Sequence, residues 1–98
     1  MEPNQIAAFE LIEQAQQAMK KGELNTARQL AARAAQSAPE LEEVWLIMAA
    51  LASPRGSVAF IQKALDINPQ SERAQKGMLW ARKRYQDELA KQAAAAEA

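Results

Sequence analysis

Cysteine and histidine are both absent from the 98 residues of this chain. Without thiols there are no disulfides and no thiol nucleophile. Without imidazoles there is no zinc site of the usual kind and no Ser-His-Asp triad. Glycine is scarce and dispersed, at positions 22, 56 and 77, so no glycine-rich phosphate loop exists. Charge of one sign is missing too. Twelve basic and twelve acidic side chains cancel, which leaves no global attraction to nucleic acid or to an acidic membrane surface. The longest apolar run, Val44 to Ala52, covers nine residues, whereas a membrane-spanning helix needs about 20. The N-terminus carries no signal-peptide pattern. The expectation is a soluble, cytoplasmic chain, either whole or part of a longer protein.

What is present favours helix. Apolar residues make up 49% of the chain, mostly Ala, Leu and Ile, with few Gly, Pro or aromatic residues. That composition suits one ordered, helix-rich domain rather than a disordered tail. Residues 5–20 place Ile6, Phe9, Leu11, Ile12, Ala15, Ala18 and Met19 at helical spacing, with Asn4 as candidate N-cap and Gly22 at the C-terminal end. A second helix is expected from near Asn25 to just before Pro39, because the residue before proline is pushed out of the α region. A third is expected over about 41–52, with acids in its first turn and apolar residues all round. Ser53-Pro54 predicts a cap and a first helical position. Gly56 suggests that the fourth helix starts properly only at Ser57 and runs to about Ile67. A fifth should begin near Gln70 or Ser71, with fraying beyond Lys91, where the alanine-rich 93–98 reads as a tail or linker.

Two of the stops match. "RAAQSAPELEEV" and "KALDINPQSERA" end helices at Pro39 and Pro69, 30 positions apart, with a basic residue and an alanine at matching distance before each. The prolines separate successive helical hairpins, and the alanines mark where helix axes approach to roughly 8–9 Å.

This pattern resembles the tetratricopeptide repeat, a helical hairpin of about 34 residues. In a first unit, about 8–41, Gly22 sits at the inter-helix turn, Ala27 and Ala34 on the small positions of the second helix, and Pro39 on the closing proline. A second unit, about 42–69, supplies Trp45, Met48 and Ala49, then "QKALDINP" with Ala64 and Pro69. It is about four residues short, with "ASPRGS" at its turn. Residues 70–92 resemble the solvating helix that ends such arrays. The resemblance implies an all-α fold of about five helices, in antiparallel hairpins stacked as a short α-solenoid. An unrelated all-α bundle would fit the same helix list.

If the hairpins stack as in that family, the first helices line a concave face. It would comprise Phe9, Ile12, Gln16 and Met19, then Leu46, Ile47 and Ala50, then Arg73, Lys76, Trp80 and Arg84: an apolar floor with a basic end. Family members that grip a C-terminal carboxylate place Lys and Asn where this chain has Ile12 and Gln16, and Asn where it has Ile47, so that specificity is not expected. The face is either a free binding surface or core covered by the fifth helix or by a second copy of the chain.

No constellation points to catalysis. Glu40, Glu42 and Glu43 could suggest acid–base work, but read better as a solvated helix start. Ser53, Ser57 and Ser71 have no histidine base, and capping suits each. Arg73, Lys76, Arg82, Lys83 and Arg84 with Trp80 among them could hold a nucleic-acid strand, yet Asp87 and Glu88 follow at once, and a solvated face is the better reading. The expected function is a non-catalytic interaction module, without metal or cofactor, that binds a protein or peptide with apolar anchors and some acidic character, or binds itself as a homo-oligomer. The alternative is a nucleic-acid-binding accessory domain using the basic C-terminal helix.

Overall fold

The computed structural model describes residues 1–97; of the alanine-rich tail, Ala98 lies outside them. Five α-helices follow one another: α1 (Pro3–Lys20), α2 (Leu24–Ser37), α3 (Glu42–Leu51), α4 (Pro54–Ile67) and α5 (Glu72–Glu97). Each packs on its neighbour in sequence, and α1 also touches α3. The result is a set of antiparallel hairpins stacked as a small helical solenoid, 53 × 31 × 18 Å.

Alanine sets the closeness of these helices. Ala8, Ala15, Ala27, Ala31, Ala34, Ala38, Ala64, Ala74 and Ala81 are all fully buried. One apolar cluster joins α1, α2 and α3 around Ile12, Val44, Ile47 and Leu51. A second joins α3, α4 and α5 around Ala49, Ile61 and Met78. Trp45 packs against both, stacks on Phe60 with ring centroids 6.1 Å apart, and lies under the Lys63 ammonium at 4.9 Å. It is largely covered without being fully buried.

The two proline junctions are built from the same hydrogen bonds, 30 positions apart. The N–H groups of Ala38 and Asn68 donate to the carbonyls of Ala34 and Ala64, and those of Leu41 and Ser71 donate to the carbonyls of Ala38 and Asn68. The Pro39 carbonyl accepts from Trp45 Nε1 and the Pro69 carbonyl from Gln75 Nε2, both at 2.8 Å. Different side chains thus close equivalent turns.

Several helix ends differ from expectation. α1 starts at Pro3, with Glu2 rather than Asn4 as its cap residue. Asn4 instead ties α1 to the end of α2: its Nδ2 donates to the Ser37 carbonyl and to Glu40, and Ser37 Oγ donates to the Asn4 carbonyl. Asn25 lies inside α2 and accepts from Arg28. α4 starts at Pro54, not Ser57, because Ser53 Oγ already accepts from the Gly56 N–H. Ser71 caps as expected, accepting from the Ala74 N–H. Ser57 does not cap: it is fully buried, and its Oγ donates to the Ala49 carbonyl and accepts from Arg84. α5 continues as helix past Lys91 to Glu97, since alanine is the best helix former and a nucleated helix extends cheaply.

Candidate functional site

A groove of about 660 Å³ opens between α1 and α3 and is closed at one side by the start of α5. Its lining includes Phe9, Ile12, Gln16, Met19, Leu46, Ile47, Ala50 and Arg73, eight of the eleven residues expected on the concave face. They meet because α1 touches α3 directly and Arg73, at the start of α5, reaches the same side. Each lining residue of α3 pairs with one of α1 34 positions before it: Phe9 with Glu43, Ile12 with Leu46, Glu13 with Ile47, Gln16 with Ala50. Arg73 lies 30 beyond Glu43, because the second hairpin is the shorter one.

Ile12 and Ile47 form the floor, at 7% and 6% exposed, and belong to the first core cluster. They are therefore core as much as site. Phe9, Met19 and Leu46 are half-buried above them, while Gln16, Ala50 and Arg73 are exposed. Three polar residues that sequence reasoning left out also line the groove: Glu13, Gln17 and Glu43. The 34-residue register would have found Glu13 from Ile47 and Glu43 from Phe9. Two carboxylates against the one guanidinium of Arg73 give the lining a formal charge of −1. Among the described residues, none of the three makes an ion pair; the pair present is Lys83–Asp87, on the exposed side of α5.

The other three expected residues are not in the groove. Arg84 turns toward α4, donating from Nη1 to Ser57 Oγ at 2.9 Å, and its guanidinium lies 4.5 Å from the centre of the Trp80 ring. Trp80 remains 46% exposed. Lys76 is exposed on α5, between Arg73 and Trp80 in the helical step of three and four.

The acids before and in α3 have separate roles. Glu40 accepts from the side-chain amides of Asn4 and Gln5. A hydrogen bond from its own backbone holds its carboxyl below the usual range; slight burial opposes this, and the two amides add to it. Glu42 Oε1 accepts from Asn68 Nδ2, bridging the two proline junctions. Glu43 faces the groove. Among the described residues, no group of three or more His, Cys, Asp or Glu side chains is arranged to hold a metal ion, and no helix is long and apolar enough to cross a membrane. No family model, curated protein or solved structure matches this chain.

Proposed function

We propose that the chain is a tetratricopeptide-like, non-catalytic interaction module of the cytoplasm, and that the groove between α1 and α3 takes an apolar segment of a protein or peptide, or of a second copy. The observation that carries this reading is the groove itself: an apolar floor with Phe9, Met19 and Leu46 left half-open above it. Concave, mostly apolar surfaces with a few polar groups at their edges are where ligands and peptides dock. The matching hydrogen bonds at Pro39 and Pro69 support the repeat resemblance. Glu13 and Glu43 beside Arg73 favour a mixed or basic segment over a purely acidic one. The nucleic-acid alternative has less support, since Arg84 is committed to Ser57 and Trp80, and Lys83 is paired with Asp87.

Leu46→Glu tests the reading. Leu46 is half-buried at the groove wall, so the introduced carboxylate reaches water and the helices should stay formed by circular dichroism. Peptides selected on the wild-type protein from a random library should lose at least tenfold in affinity, measured by fluorescence anisotropy, corresponding to about 1.4 kcal/mol. Selected peptides that bind the variant as well as the wild type would move the site away from this groove.

A further inference from the structure

Leu79 and Trp80 lie outside both core clusters, and the Arg84 guanidinium rests on the Trp80 ring. They stand side by side on α5, 71% and 46% exposed, while Ala74, Met78 and Ala81 take the side that packs on α4. In repeat register Leu79 occupies the position of Ala15 and Ala49, 34 and then 30 residues on. Those two alanines are buried in the two core clusters, at crossings that admit little beyond a methyl group. A leucine does not suit such a crossing, and Gln75 and Arg82 on the same face are exposed and polar. This face of α5 is therefore not shaped to continue the stack, yet it presents two large apolar side chains flanked by Lys76 and Lys83.

We propose that the groove is filled by the Leu79–Trp80 edge of α5 from a second copy of this chain. The inference rests on the reading of the groove as a binding surface and names its occupant. The apolar floor of Ile12 and Ile47 between Phe9 and Leu46 receives the indole. Glu13 and Glu43 on the groove meet Lys76 beside the plug; among the described residues, none of these three has an ion-pair partner within its own chain. With a net charge of zero, two copies do not repel one another. Plug and groove occupy different places on one chain, and the proposed arrangement is the closed one: about a twofold axis each α5 enters the other's groove, giving two identical joints and a dimer rather than an open chain. A stable interface needs about 800 Å² from each partner, roughly an eighth of the 6368 Å² surface of this chain. A buried tryptophan supplies about 150–250 Å² of that, and each chain adds both its plug and its groove.

Light scattering and sedimentation on the full chain, from micromolar to submillimolar concentration, test this with Trp80→Ala and Leu46→Glu. The expected result is a doubled mass for the wild type and a single-chain mass for each variant, with circular dichroism unchanged. The two variants mixed should recover a dimer of weakened affinity, because the intact plug of Leu46→Glu fits the intact groove of Trp80→Ala and restores one of the two joints. Reversing Lys76 to Glu should weaken the wild-type dimer, and adding Glu43→Lys to that variant should strengthen it again. A wild type that stays monomeric throughout overturns the self-docking, while the peptide experiment on Leu46→Glu still decides the groove. A dimer lost in Leu46→Glu but kept in Trp80→Ala overturns α5 as occupant and retains the groove. A dimer kept in both, or a mixture that stays monomeric, overturns the proposal as well.

Discussion

Single residues set the tolerances of this fold, and the alanines are the tightest. Ala64 is fully buried in the cluster that joins α4 to α5. Ala64→Leu should overpack that crossing and cost about 1–3 kcal/mol, read as a lowered unfolding midpoint. That crossing could be read from the sequence, because an alanine at a fixed distance before each proline is a local pattern. Ser57 could not: a serine three residues after Pro54 reads as a cap, and only the packing of α3, α4 and α5 makes it a buried link between the Ala49 carbonyl and Arg84. Glu40 offers a second test. Its carboxyl titrates below the usual range in the folded chain, so its contribution is complete above the unfolded-state value and is lost as pH falls through the folded-state value. Glu40→Gln should therefore lose less stability than the wild type when pH is lowered from neutral through the carboxylate range, measured by urea unfolding at a series of pH values.

At the scale of elements, helix ends and lengths decide what each segment covers and what it leaves open. α1 ends in a Schellman motif: the Gly22 N–H donates to the Met19 carbonyl and the Glu23 N–H to the Ala18 carbonyl. Gly22 takes a φ of 77°, the left-handed region. Gly22→Ala should cost about 1 kcal/mol in chemical unfolding, since a side chain resists that conformation even with open space around it. α5 is 26 residues long against 14 for α4, about 39 Å against 21 Å. Its inner half is fixed by α4 and carries Trp80 outward, whereas Trp45 is enclosed between two helices and stacked on Phe60. Single-tryptophan variants should differ under acrylamide, with Trp80 quenched more steeply than Trp45 in dilute monomer. Equal quenching there would place Trp80 under cover. Periodicity located all five helices, but not the first residue of α1, because Asn4 is drawn to Ser37 and Glu40, far along the chain, while Glu2 and Gln5 close the capping box.

At the scale of the whole molecule, two apolar clusters share α3 and meet at Trp45. Neither is large, and a short helical array gains its stability from contacts between neighbouring units. Deleting α5 from Glu72 onward would uncover Ile61 and Ala64 and remove Met78. The helical signal should then fall by more than the helix removed, because α4 loses its cover, while α1, α2 and α3 keep their own cluster. A loss limited to α5 itself would show that α4 is held by α3 alone. The groove arises at this scale also. Its residues come from positions 9–19, 43–50 and 73, and the 34-residue register is what aligns them.

The chain's own order of residues determined the helices and the hairpin boundaries at Pro39 and Pro69, because helical period and proline spacing are local quantities that can be counted. The eight inner-face residues that line the groove were implied only by the resemblance to a stacked helical repeat. Tertiary structure decided what those side chains face. It turned Arg84 away from the inner face and onto Ser57, brought Glu13 and Glu43 beside Arg73, made Ile12 and Ile47 core as well as floor, and left Leu79 and Trp80 in water. The physical reason is that burial and partner choice depend on which surfaces of distant helices arrive together, and on the angle at which they cross, and neither is written in the spacing of one helix.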